Sequence, residues 1–123
     1  MDDLVIPQKI YDMILWATPI VENYPRSKRF TLGTYTQNAM LELLKCVIEA
    51  NKLRYRQRDP KQRTARIEAI RMADVQLALL TYYVRLAAET KALHPVISRR
   101  QWEQWSKRTT EIGKMIGGWL KST

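Results

Sequence analysis

Apolar residues recur at intervals of three and four along four segments of the chain, and this spacing predicts four amphipathic helices. The first helix covers residues 7–23, and the second runs from residue 32 into the mid-fifties. The third begins at Pro60, behind the capping residue Asp59, and continues to about residue 93. The fourth begins after Ser98, which forms a capping-box pattern with Gln101. We therefore expect an all-α, up-down four-helix bundle, with residues 1–123 as one domain.

The connection between the first two helices has the sequence YPRSKRFTLG, residues 24–33. Pro25 disfavours helical geometry at the residue before it, so this segment is predicted to be a loop. Tyr24, Phe30 and Leu32 are expected to anchor the loop on the bundle, and residues 34–37 fit a capping box for the next helix. The loop also carries three cations, which are Arg26, Lys28 and Arg29.

The middle of the third helix, residues 75–88, is apolar around most of its circumference. An ordinary surface helix has an apolar stripe only about 100° wide, so this helix needs cover on more than one side. Either it is the most central helix of the bundle, or a second subunit covers its outer face. The candidate residues for a subunit contact are Leu79, Tyr82, Arg85 and Leu86.

The cysteine and histidine content bears on the cellular compartment and on possible catalytic or metal-binding residues. The single cysteine, Cys46, and the absence of a signal-peptide pattern favour a reducing cytoplasm, and no apolar run is long enough to span a membrane. Cys46 has no neighbouring histidine or aspartate in the sequence to activate it, and the lone His94 is unsuited to metal binding by itself. We expect neither catalytic residues nor a metal or other cofactor.

Cations are concentrated around the turn between the second and third helices. The eight basic residues between positions 52 and 71 stand against only Asp59 and Glu68. Such a one-sided block, in a chain of net charge +9, favours RNA or DNA bound through phosphates with little sequence specificity. A solvated surface without a partner is the alternative. The candidate contact residues are Arg54, Arg56, Arg58, Lys61, Arg63 and Arg66, with Arg26, Lys28 and Arg29 from the first connection.

Several strings resemble the accessory variability determinant proteins of diversity-generating retroelements. These are ILW at 14–16, the segment 24–33, LELL at 41–44, IEAN at 48–51 and EIGKMIGGWLK at 111–121. The resemblance implies a four-helix bundle that assembles into a basic, homopentameric barrel without enzymatic activity. It also implies partnership with the error-prone reverse transcriptase of the element during mutagenic copying of template RNA.

Two rival interpretations remain at the sequence level. The four-helix proteins encoded in ribosomal RNA intervening sequences share a proline-containing first connection. Their second helix carries a Ser-Ile-x-x-Asn-Ile-Ala-Glu-Gly type of segment, whereas this chain has AMLELL at residues 39–44. A structural helical adaptor that uses its charge only for solubility is the other rival. A neighbouring reverse transcriptase gene with paired template and variable repeats would favour the retroelement.

Overall fold

Four long helices make up the computed structural model, which describes residues 2–54, 58–89 and 94–123. They are α1 (Asp2–Glu22), α3 (Thr34–Lys52), α4 (Pro60–Ala88) and α5 (Arg99–Lys121). A short helix, α2 (Arg26–Lys28), and a π-helical turn (Arg29–Gly33) lie between α1 and α3. The described residues contain no strand, and the prediction of an all-helical chain with four principal helices is confirmed.

Each long helix packs against two others, so the four form a closed square in cross-section. Helices α1 and α4 both contact α3 and α5. The contacts also fix the helix directions. Lys9 near the start of α1 pairs with Glu111 of α5 at 2.8 Å, while Trp16 further along α1 meets the earlier residue Trp105, with ring centroids 5.7 Å apart. Helices α1 and α5 are therefore antiparallel.

The same reversal holds for the other neighbours. Tyr35 at the start of α3 stacks on Tyr83 near the end of α4, with ring centroids 6.1 Å apart. Ala50 at the end of α3 accepts a hydrogen bond from Arg66 near the start of α4. Adjacent helices thus run in opposite directions, as expected for an up-down bundle.

The core occupies the centre of this square, where the helices direct their buried faces inward. Its largest fully buried side chain is that of Trp105. Burying these apolar surfaces is the main favourable contribution to folding. Other fully buried members contributed by the four helices are Ile6, Ile10, Met13, Met40, Leu43, Ile70, Leu80, Ile112 and Ile116.

Both predicted caps are confirmed. The Asp59 carboxylate accepts a hydrogen bond from the Lys61 main-chain N–H at 3.0 Å, and Pro60 occupies the first turn, where its missing N–H costs nothing. At α5, the Ser98 hydroxyl accepts from the Gln101 main-chain N–H at 3.0 Å, and the Gln101 side chain accepts in return from the Ser98 N–H at 2.9 Å. Such caps depend on residues adjacent in sequence and could be predicted from it.

The predictions for the first connection are wrong in two respects. Residues 26–33 are helical rather than a loop, and no capping box forms at residues 34–37. The Thr34 hydroxyl instead donates to the Arg29 carbonyl at 3.2 Å, and the Thr36 hydroxyl donates to the Leu32 carbonyl at 2.7 Å. The π-helical turn leads directly into α3, so the main-chain N–H of Thr34 is already bonded and no free helix start exists there.

Helix limits also differ from the predictions. Helix α1 begins at Asp2 rather than at Pro7, which lies inside the helix. Helix α4 ends at Ala88, and the predicted end near residue 93 lies outside the described residues. None of the helices within the described ranges is long and apolar enough to cross a membrane.

Candidate nucleic-acid interface

The alternating helix directions divide the predicted contact residues between opposite ends of the bundle. One end, named the Arg58 end, contains the α3–α4 connection and the last turn of α5. The other, named the Arg29 end, contains residues 26–33 and the α4–α5 connection. Helix α3 has 19 residues and rises about 1.5 Å per residue, so the two ends lie about 28 Å apart. The eight predicted contact residues that the structure describes therefore do not form one site.

At the Arg58 end, Arg58 and Lys61 are exposed and make no ion pair with any described residue. The exposed Arg63 donates to the main-chain oxygen of Thr123 at 2.9 Å. Arg54 is half-buried and has an interaction partner, and Arg56 lies outside the described residues. At this end, Arg58 and Lys61 are therefore the predicted residues that present their charge to solvent without an ion-pair partner among the described residues.

The prediction that Arg66 lies on the contact surface is wrong, because this residue is only 3% exposed. One of its terminal nitrogens donates to the carbonyl oxygen of Ala50, and its guanidinium lies 5.1 Å from the ring centroid of Trp119. Burial lowers the pKa of Arg66, and the nearby charge of Arg54 lowers it further. Arg66 lies one helical turn before Ile70, on the buried face of α4, so it stabilises the bundle end rather than facing a ligand.

Two further lysines extend the Arg58 end beyond the predicted contact residues. Lys52, in the last turn of α3, and Lys121, in the last turn of α5, are both exposed. The contact between Arg63 and Thr123 brings the end of α5 to this side of the bundle. The predicted up-down order contained the signal for Lys121, because the second and fourth helices of such a bundle end on the same side.

At the Arg29 end, the three predicted cations Arg26, Lys28 and Arg29 are all exposed. Phe30 does not anchor this segment as predicted, because its side chain is 71% exposed. The Arg29 guanidinium lies 5.9 Å from the centroid of the Phe30 ring. Tyr24, which is buried, and Leu32, which packs against the core, are confirmed as anchors. Burial raises the pKa of the Tyr24 phenol to about 12.

The outer face of α4 carries an apolar stripe that the monomer leaves uncovered. Its members follow one another at intervals of three and four residues, which places them on one side of the helix. Arg85, beside the stripe, is exposed as well. All four residues predicted for the subunit contact are thus at the surface. The exposed apolar members are Met72, Val75, Leu79, Tyr82 and Leu86.

A second group of exposed apolar side chains lies on α1 and α3, which pack against each other. Leu4, Tyr11 and Leu15 are spaced at intervals of seven and four along α1, so they share one side of that helix. Leu41 and Ile48 share one side of α3 in the same way. We call these five residues the α1/α3 patch, which belongs to different helices from the α4 stripe.

Cys46 and the possible metal ligands are the described groups whose chemistry the sequence analysis considered. Cys46 is buried, and burial raises the pKa of its thiol, with Glu42 and Glu49 raising it further. The raised pKa keeps this thiol protonated at neutral pH, whereas nucleophilic cysteines need the thiolate. Within the described ranges, no group of three or more histidine, cysteine, aspartate or glutamate residues could hold a metal ion.

Comparison with known proteins identifies the family to which this bundle belongs. No curated protein matches the chain. A family model described as bAvd-like matches residues 4–123, which is almost the whole chain. This match confirms the resemblance to accessory variability determinant proteins, and the chain belongs to the bAvd-like family.

Proposed function

We propose that this protein is a non-enzymatic accessory subunit of a diversity-generating retroelement, which binds template RNA and the error-prone reverse transcriptase as a homo-oligomer. The observation that carries the proposal is the group of exposed cations at the Arg58 end of a bAvd-like bundle. Arg58 and Lys61 have no carboxylate partner among the described residues, so phosphates can take that place.

Assembly into a ring is supported by the two apolar surfaces. The α4 stripe and the α1/α3 patch occupy different faces of one chain, so a contact between them joins neighbouring copies head to tail. Head-to-tail contacts generate a closed ring when the rotation between neighbours is suitable. The resemblance to accessory variability determinants supplies five as the number of copies.

A ring also increases the positive charge offered to one ligand. In a cyclic assembly whose axis runs along the bundles, every Arg58 end faces the same side. Several Arg58 ends then contact one RNA strand, and each contact releases counterions from the backbone. The contacts are to phosphates, so RNA and DNA are bound with little sequence specificity.

The test of this interface is the double substitution Arg58→Gln with Lys61→Gln. Each phosphate contact contributes about 0.7 to the logarithmic salt slope for a single strand, so the slope is expected to become shallower by about 1.4 per engaged subunit. Affinity for single-stranded RNA at 0.1 M salt should fall by about tenfold or more. Fluorescence anisotropy titrations at several salt concentrations measure both quantities.

A matched control removes the same number of charges elsewhere. Lys9 and Lys45 already pair with Glu111 and Glu42, at 2.8 and 3.7 Å respectively. Replacing both lysines with glutamine should change the salt slope much less. Equal losses in the two double variants would mean that net charge, rather than the Arg58 end, determines RNA binding, and would contradict the proposed site.

A further inference from the structure

Phe30 at the Arg29 end is an exposed aromatic side chain in a strongly cationic segment. Its immediate neighbour Arg29 and the nearby Lys28 and Arg26 are exposed, and residues 23–41 contain no aspartate or glutamate. Phe30 is 71% exposed, and the Arg29 guanidinium lies 5.9 Å from the centroid of its ring. An apolar ring with these neighbours is complementary to a ligand that combines a flat π surface with negative charge.

The turn that carries Phe30 packs closely against the end of α1. Gly33 lies so close to α1 that a Cβ atom there would come within 3.2 Å of Val21 Cγ1 and 3.4 Å of the Tyr24 ring. The hydroxyl of Thr31 donates to the Ser27 carbonyl at 3.2 Å. These contacts hold the π-helical turn in place while its Phe30 side chain projects outward, and π-helical turns are frequent at functional sites.

We propose that the Arg29 end is a base-stacking site for single-stranded RNA. In this site one unpaired base stacks on the Phe30 ring, and Arg26, Lys28 and Arg29 bind the flanking phosphates. A base in a duplex keeps its faces within the stack, so only an unpaired base can present a face to the ring. The inference rests on the proposed RNA-binding function and adds a second contact, about 28 Å from the Arg58 end, of a different chemical kind.

The cationic neighbours favour RNA over a protein partner for this ring. Aromatic anchors of protein interfaces lie in well-packed centres that exclude water, surrounded by other interface groups. Phe30 is flanked in sequence by Arg29 and Thr31, both exposed. Stacking on nucleobases, by contrast, commonly combines an aromatic ring with a basic groove that follows the phosphates.

The experiment compares two fluorescein-labelled oligoribonucleotides of about 12 nucleotides, a length within the range bound by single-strand binding modules. One is oligoadenylate, and the other is an abasic ribose-phosphate chain of equal length. Phe30→Leu should weaken binding of oligoadenylate by about 5- to 10-fold and leave binding of the abasic chain unchanged. Phe30→Tyr keeps the ring and should retain the affinity of the unsubstituted protein. Circular dichroism confirms folding of each variant.

A second comparison separates failure of this site from failure of the proposed function. Because Phe30→Leu changes no charge, it should leave the salt slope unaltered, whereas the Arg58 and Lys61 double variant should weaken both oligonucleotides alike. If the unsubstituted protein binds neither oligonucleotide, the proposed function and this inference both fail. If it binds both and Phe30→Leu weakens neither, only the stacking site is overturned. If Phe30→Leu keeps its RNA affinity but no longer captures the reverse transcriptase, the stacking site is also overturned. Phe30 is then assigned to a protein contact.

Discussion

Leu79→Glu is expected to convert the proposed oligomer into folded monomers. Leu79 lies within the α4 stripe and is 39% exposed in the single chain, so a glutamate there can reach water in the monomer. In the proposed ring the same carboxylate would be buried without a partner, at a cost of several kcal/mol. A loss of about 3 kcal/mol per contact weakens association by more than 100-fold. Size-exclusion chromatography with light scattering, at micromolar concentration, measures the change in mass.

The control for this variant is Thr81→Glu, on the more polar side of the same helix. Thr81 is exposed, and its hydroxyl donates to the Leu77 carbonyl within α4 at 2.9 Å. This variant should keep the oligomeric mass, and circular dichroism should show unchanged helicity for both. A stable monomer of the unsubstituted protein at micromolar concentration would refute the proposed assembly. An unchanged mass for Leu79→Glu would remove the α4 stripe from the interface.

Trp119→Ala is expected to lower the free energy of unfolding by about 3–5 kcal/mol, as for other large buried aromatic residues. Trp119 is 9% exposed and lies beneath the Arg66 guanidinium, 5.1 Å from ring centroid to Cζ. Removing the ring leaves a cavity and also takes the cation–π partner from a buried charge. Urea unfolding followed by circular dichroism measures the loss, with all variants at one protein concentration because assembly affects apparent stability.

Arg66→Ala, alone and combined with Trp119→Ala, separates the packing of the ring from its contact with the charge. The double-mutant cycle should give a coupling of about 1 kcal/mol between the two side chains. Arg66→Met keeps most of the side-chain volume without a buried charge, and should cost less than Arg66→Ala. If Arg66→Ala weakened RNA binding while leaving stability unchanged, the assignment of Arg66 to the interior would be wrong.

Features encoded by neighbouring residues were predictable from the sequence. The number and type of the helices follow from apolar spacing, and the caps at Asp59 and Ser98 follow from residue types within three positions. The wide apolar surface of α4 was evident from residue spacing, but the spacing did not decide between a central helix and one with an exposed stripe.

Arg66 shows why other features could not be predicted. Its charge suggested a surface residue, although its spacing from Ile70 matches the buried face of α4. Its partners Ala50 and Trp119 are distant in the sequence. No pattern within α4 identifies those partners. The prediction for the first connection, residues 24–33, failed for a related reason. Gly33 packs closely on Val21 and Tyr24, and this packing accommodates a π-helical turn in which Phe30 faces solvent. In the sequence alone, an apolar residue such as Phe30 suggests an anchor.

The division of the cations between the two bundle ends could be predicted in part. Nothing in the charge pattern alone separates Arg29 from Arg58. The up-down order does separate them, because successive connections in such a bundle alternate between its ends. Applying the predicted topology to the predicted contact residues therefore places them at two ends of the bundle, whereas the exposure of Phe30 at one of these ends was not predicted.

Co-purification of the reverse transcriptase and template RNA of the same retroelement tests the central proposal most directly. The immobilised protein is incubated with both at low salt, and retention of each is measured before and after a wash at high salt. We expect both to be retained at low salt and the RNA to be released by the wash, because phosphate contacts weaken steeply as salt rises. Retention of neither partner at low salt would contradict the proposed function and leave the basic ends as solvated surfaces.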